Sequence, residues 1–287
     1  TASLDWIGSG RARGRKALVI ASDIASYGLN TAGEPTQGAG AVAIVVSENP
    51  RLVALDTGRI GDYTRQVMDF WRPLYSKYAF ADGHYSIECY LDALSGARAD
   101  AIGDQAQVLD QLSACLYHVP FVKMAFKAHQ RQLEIEQGGV IKRDDVGSWQ
   151  TLTESYQRLV APWLELNAEI GNIYTGSLFL ALIDLLRQAA QPLAGREISL
   201  FSYGSGCGAT FSVGMIEQHA HQWVAALDPA DHLATRRHLA IPEYEAMIRA
   251  NETADHAERL DPANYALEGG LYYLGTRDHR RIYSASG

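Results

Sequence analysis

Cysteine is scarce in this chain. Its 287 residues hold three, Cys89, Cys115 and Cys207, and no Cys-x-x-Cys pair. Thiols so few and scattered exclude a disulfide framework and a cysteine-built zinc site, and they suit a reducing cytoplasm. Long apolar runs are lacking too. No stretch approaches the roughly 20 residues that a membrane-spanning helix needs, and no signal-peptide pattern opens the chain. Positive charge is in the minority: 25 Lys and Arg against 33 Asp and Glu leave a formal charge of -8. That balance argues against a nucleic-acid binder or an anionic-membrane binder. There is no repeat of solenoid period and no low-complexity tract. The glycine-rich string from Glu34 to Gly40 precedes a strand, whereas a dinucleotide fingerprint follows one. The opening Thr1-Ala2-Ser3 starts in mid-pattern, without an initiator Met.

What is present is an ordinary globular composition, 47% hydrophobic and 20% charged. The length allows one large core or two fused ones. The continuous apolar run Ala17–Ser22 and the largely apolar segments Ala41–Val46, Leu52–Leu55 and Ile198–Tyr203 read as buried strands. A further strand covers Thr210–Ile216. Helical patterns cover Ser86–Leu94 and Asp104–Ser113, the latter with a Leu109/Leu112 face. Two more helices lie between Lys127 and Ala161, around Gly138-Gly139. Others run over Trp163–Glu169 and from Ser177 to about Ala190, with Ser177 or Thr175 as cap. Residues 222–260 read as a charged, helical cover, and Gly269–Ser284 as a terminal hairpin. The class is layered α/β.

One stretch, Leu116 to Lys127, organises the rest. It begins as a buried strand (Leu112, Ala114, Leu116) and turns at Pro120. The helix that follows puts Lys123 and Lys127 on one face. His118 sits where the strand ends, the place where a rigid strand aims side chains into an open crevice. An imidazole followed by two ammonium groups suits proton transfer beside an anionic substrate. Most other histidines (His129, His219, His221, His232, His238 and His256) lie in charged helical stretches and are expected to face solvent. Cys89 and Cys115 read as core thiols. Cys207, in the bend from Gly204 to Gly208, could be a nucleophile paired with His118. The same bend exposes backbone N–H groups able to hold an oxyanion. The aromatic string Asp69–Tyr75 either packs under a loop or walls an apolar ligand tunnel. On the residues alone this is an acyl-handling or phosphate-handling α/β enzyme, its chemistry open.

Six strings sharpen that reading: Ser22–Gly28, Glu34–Ala43, Asp69–Pro73, Tyr117–Met124, Gly171–Leu178 and Phe201–Gly206. In this order they resemble 3-hydroxy-3-methylglutaryl-CoA synthase of the bacterial mevalonate-pathway type, in the thiolase superfamily. The resemblance covers almost the whole chain and is weakest after about residue 222. It implies a thiolase-like α/β fold: two similar halves in a five-layer αβαβα arrangement. Residues 1–56 would end the first half, and 57–287 would form the second, with a substrate-pocket insertion and peripheral helices. The family nucleophile stands in a Cys-Tyr-x-x-Thr-Ala context. The match to Thr1-Ala2 therefore places it just before Thr1, and the acid/base glutamate earlier still. By this alignment Cys207 is not the nucleophile.

The implied reaction condenses acetyl-CoA with acetoacetyl-CoA and water, through an acetyl-cysteine, to HMG-CoA and CoA. No metal or organic cofactor is implied; the CoA thioesters are substrates. His118 and Asn172 would polarise the acetoacetyl group, and the Ser205 N–H would help form an oxyanion hole. Tyr27, Thr36, Phe70 and Tyr90 would wall the substrate pocket, and Lys123 and Lys127 would meet CoA. A cytoplasmic homodimer is implied. The alternatives are a polyketide β-branching synthase acting on a carrier-bound β-ketoacyl group and a non-catalytic thiolase-like subunit.

Overall fold

The computed structural model describes residues 1–76, 78–104, 107–188, 193–227, 229–254 and 271–285. They divide into two compact units. One holds Thr1–Tyr27 and Ala32–Asp231, the other Gly28–Thr31 and His232–Gly287.

The first unit begins with α1 (Ala2–Gly8), β1 (Ala17–Ala25), β2 (Gly38–Val46) and β3 (Val53–Thr64). A short ribbon, β4 (Phe70–Trp71) with β5 (Phe80–Ala81), precedes α2 (Gly83–Ile102). Then come β6 (Leu112–Tyr117), α3 (Val122–Gln137), α4 (Val146–Leu159), α5 (Glu165–Ile170) and α6 (Ser177–Gln188). The closing elements are β7 (Glu197–Gly204), β8 (Gly208–Ile216) and α7 (Ala220–Val224), with α8 (Pro229–Ala234) at the border of the two units. The second unit holds α9 (Ile241–Ala254) and a hairpin of β9 (Leu271–Arg277) with β10 (Arg280–Ala285). The expected terminal hairpin is thus present; Gly269, Gly270 and residues 255–260 lie outside the described residues.

The central sheet has the order β3-β8-β7-β6, antiparallel except for the parallel pair β6–β7. Alternation along each strand divides the core into two layers. Cys115, Tyr117, Phe201, Tyr203, Phe211 and Val213 pack with residues of α2, α3 and α4. Ala114, Leu116, Ile198, Leu200 and Ile216 pack with residues of α6 and α7. With both faces covered, β6 and β7 carry apolar residues on both faces, interrupted mainly by small serines, which is why they were legible. Helix α2 lies so close on β3 that a Cβ at Gly61 would stand 2.2 Å from the Ala101 nitrogen.

Three expectations are corrected. Leu18 is 63%, Ile20 62% and Val45 58% exposed, so neither β1 nor β2 is a buried strand here. The two pair with each other in a two-stranded antiparallel sheet. An apolar run reports what a strand could bury, not which surface covers it. The helix over Asp104–Ser113 does not form among the described residues. The N–H groups of Val108 and Leu109 bond the Glu136 carboxylate instead of helical carbonyls, and β6 starts at Leu112. Glu136 is itself paired with the fully buried Arg98 at 3.1 Å, so the turn is held to α3 and α2. His129 is fully buried rather than solvent-facing. Its Nδ1 lies 3.1 Å from the Tyr117 hydroxyl and its Nε2 2.9 Å from Ser155 Oγ, so its ring polarity is met inside the core. His219, His221 and His238 are exposed as expected.

Candidate active site

Because β6 and β7 run parallel, their C-terminal ends share one edge of the sheet. His118 extends that ladder by one bond, its N–H donating to Phe201 O at 2.7 Å. The Gly204–Ser205–Gly206 bend leaves β7 at the same edge. Tyr203, just before the bend, has its ring centroid 6.3 Å from that of His118. So the parallel pairing brings the imidazole and the bend together, though 87 residues of sequence separate His118 from Ser205 (205 − 118).

The bend is held from outside by residues 65–69. Val67 N–H donates to Gly206 O at 2.7 Å, and Cys207 N–H donates to Arg65 O at 2.6 Å. The fully buried Asp69 accepts from Gly206 N–H at 3.0 Å and from the Tyr203 hydroxyl at 2.8 Å. Ser205 itself is exposed. Cys207 is 8% exposed, and burial raises its thiol pKa above the ordinary value. A protonated, buried thiol is inert, against its reading as a nucleophile.

Asn172 reaches its place by another route. Gly38 and Gly171 let the two backbones touch: a Cβ at Gly38 would stand 2.5 Å from Ile170 O, and one at Gly171 2.2 Å from Gln37 O. Asn172 N–H then donates to Thr36 O at 2.9 Å. The Asn172 carboxamide is oriented by its neighbours, since its Oδ1 accepts from Tyr174 N–H at 2.8 Å. Its Nδ2 donates to the Tyr27 hydroxyl at 2.8 Å, and an amide nitrogen carries a second N–H. Tyr27 packs edge-on against Phe70 at 6.1 Å, and Phe70 lies 6.4 Å from Tyr174. Since Phe70 adjoins Asp69, these contacts form an unbroken path from Asn172 to the bend. The Ser177 hydroxyl, expected as a helix cap, instead accepts the Ile173 N–H at 3.0 Å and supports this loop.

The remaining candidates divide. Thr36 is half-buried, and its hydroxyl donates to Gly33 O at 2.7 Å. Tyr90 is 2% exposed and donates to the His118 carbonyl at 2.8 Å, so it sits behind the histidine. Lys123 and Lys127 are exposed on the first turns of α3. Sequence reasoning missed Asp69 as a site residue. Its only signal was an acidic residue opening an aromatic string.

Burial sets the electrostatics. The His118 imidazole is pushed down to about 4 by desolvation, so it is neutral at physiological pH. It can donate from one nitrogen without a full charge. The Tyr203 phenol is pushed up, first by burial and then by its bond to Asp69, and so stays protonated. Among the described residues no group of three or more His, Cys, Asp or Glu is placed to hold a metal ion, and no helix is long and apolar enough to cross a membrane. Two cavities, of about 560 and 490 Å³, lie elsewhere: one beside α6 and α7, the other between α3 and α4.

Residues 53–137 and 132–286 match the family model described as hydroxymethylglutaryl-coenzyme A synthase C terminal, and residues 1–50 match its N-terminal counterpart. A hydroxymethylglutaryl-CoA synthase of Enterococcus faecalis is 36% identical over 261 residues, covering 88% of this chain and 63% of its own length. The chain thus spans somewhat under two thirds of that relative. The solved structure of MvaS in complex with 3-hydroxy-3-methylglutaryl coenzyme A is 42% identical, with a TM-score of 0.86 over all of this chain and 71% of that one. The HMG synthase of the curacin biosynthetic pathway is 28% identical, with a TM-score of 0.84 over 99% and 70%. The fold is accordingly thiolase-like, and the chain belongs to the hydroxymethylglutaryl-CoA synthase family.

Proposed function

We propose that this chain carries the acceptor side of a hydroxymethylglutaryl-CoA synthase. The enzyme condenses acetyl-CoA with acetoacetyl-CoA and water to HMG-CoA and CoA, in the mevalonate route to isoprenoids. The observation that carries the proposal is the convergence of His118 and the Ser205 bend at one sheet edge, linked by side-chain contacts to Asn172. The neutral His118 donates a hydrogen bond to the acetoacetyl oxygen that gains charge as the new carbon–carbon bond forms. Asn172 offers its second amide N–H to the same acyl group, and the Ser205 N–H stabilises the thioester oxyanion. Such donors act best where water is excluded and their directions are set beforehand.

Tyr27, Thr36 and Phe70 wall the acyl pocket, and Tyr90 sets the His118 backbone. Lys123 and Lys127 meet the CoA phosphates as point charges. Apart from water, this scheme needs only the CoA thioesters, which are substrates. The working protein is a cytoplasmic homodimer, with residues 1–56 closing one thiolase-like half and 57–287 forming the other. A carrier-bound acceptor is the second reading. The greater identity to MvaS, 42% against 28% for the curacin synthase, favours free CoA.

The test is His118→Ala in the full-length protein. Acetyl-enzyme should still form from acetyl-CoA, while condensation with acetoacetyl-CoA falls by about a hundredfold or more. Condensation at the wild-type rate removes His118 from this role. Turnover of acetoacetyl-carrier protein but not acetoacetyl-CoA transfers the chain to the second reading.

A further inference from the structure

Helix α5 has only six residues, too few to hold itself as an isolated helix. It leads straight into Gly171-Asn172, so whatever fixes α5 also fixes the backbone that carries the Asn172 carboxamide. Two ties bind α5 to α6. Asn167 Nδ2 donates to Ser177 O at 2.9 Å. Asp184 Oδ2 accepts the Leu166 N–H at 2.8 Å, an N–H that α5 cannot satisfy from within. The other Asp184 oxygen accepts from Gln188 Nε2 at 3.0 Å, and Gln188 Nε2 also reaches Glu165 Oε2 at 2.7 Å. Asp184 is fully buried.

Stability does not explain this carboxylate. Burial pushes the Asp184 carboxyl up to about 6, against the pull of Leu166 N–H and Gln188. At neutral pH the group is therefore ionised at a cost. The geometry points to a different role: Asp184 is a positioning residue that anchors the start of α5 and so holds Asn172 toward the acceptor acyl group. The loop is then tethered at both ends, to α6 through Asp184 and to Thr36 through the Asn172 N–H.

This inference rests on the reading of Asn172 given above, and three variants of the full-length protein separate the two. Asp184→Ala removes the acceptor of the Leu166 N–H. It should raise KM for acetoacetyl-CoA, or lower condensation, by about ten- to a hundredfold, the scale of an ångström-sized misplacement. The rate of enzyme acetylation by acetyl-CoA should stay within about twofold, because the tether does not touch the donor step. Asp184→Asn keeps an oxygen acceptor for the Leu166 N–H, Gln188 can turn its amide to match by giving up its bond to the exposed Glu165, and acceptor kinetics should return to near wild type. If Asp184→Ala does not fold, Asp184→Glu, which keeps the charge but moves the oxygen, is judged by the same split. Equal losses in acetylation and condensation, or no loss in either, overturn the role of Asp184. Asn172→Ala is the control. Normal acceptor kinetics there refute the reading of Asn172, whereas a loss there with none from Asp184→Ala or Asp184→Glu refutes only the tether.

Discussion

Tyr203 donates its phenolic hydrogen to Asp69 Oδ2 at 2.8 Å, while Asp69 Oδ1 takes the Gly206 N–H at 3.0 Å. One buried carboxylate thus locks the last side chain of β7 and the bend behind it into a single unit. The bend's own residues supply little stiffness, since glycine flanks Ser205 on both sides. The direction of the Ser205 N–H depends on Asp69, 136 residues earlier in the chain (205 − 69).

Asp69→Asn should leave the fold intact and damage turnover. The neutral amide keeps one oxygen for the Gly206 N–H but presents an N–H₂ to the Tyr203 hydroxyl, which must then accept, so both charge-assisted bonds of the carboxylate are lost. A drop in kcat of about a hundredfold is expected, the scale of losing one oxyanion donor. Circular dichroism should be unchanged. Wild-type kcat would mean that the bend holds its shape without the carboxylate.

Removing one oxygen from Tyr90 isolates the support of His118. In Tyr90→Phe the buried His118 carbonyl loses the hydroxyl that donates at 2.8 Å. A stability loss of about 1–2 kcal/mol is expected by denaturant unfolding. Acceptor KM should rise further than donor KM.

Gly38→Ala tests the contact that seats Asn172. The new Cβ would meet Ile170 O at 2.5 Å and Gly171 C at 2.7 Å, both backbone atoms that cannot swing aside. Overpacking of this kind costs about 1–3 kcal/mol. A lower Tm together with impaired use of acetoacetyl-CoA is expected. An unchanged Tm would show that the two backbones can part freely.

Stability should fall as pH drops from about 6.5 toward 4. His118 and His129 are both pushed down to about 4 by burial, so in this window the unfolded chain binds more protons than the folded one. Each contributes at most about 3 kcal/mol to the loss. Asp184 acts in the opposite sense: its carboxyl is raised to about 6, so its ionisation costs stability as pH rises through the same range. Two imidazoles against one carboxyl leave a net loss on acidification. Urea unfolding at pH 7.5, 6 and 5 measures it, and a flat or rising series would contradict the burial of the two rings. Since His118 is neutral throughout, kcat/KM should show no inflection from it between pH 5 and 8.

The strands β6, β7 and β8 were legible because a sheet covered on both faces leaves strands rich in apolar residues, broken mainly by small serine, threonine and glycine. Helices α3 to α6 were legible from their periodicity and from the glycines between them. His129 was misread because charged neighbours on the same helix say nothing about the face turned inward. The ladder of β1 was read correctly as strand but wrongly as buried, since the outer partner of a strand leaves no trace in its own residues. Asp69 escaped notice for a related reason: its meaning comes from Gly206 and Tyr203, and no local pattern links those positions.

Residue type and order by themselves determined the α/β class, the place of His118 at a strand end, the glycine bend around Ser205 and the likeness to a known family. Those properties are local, written in hydrophobic period, turn chemistry and short strings. Only the tertiary structure decided which carboxylate holds the bend, which hydroxyl holds Asn172, and that His118 is buried enough to stay neutral. Desolvation and hydrogen-bond direction depend on atoms brought together from distant positions, and those distances exist only once the chain has folded.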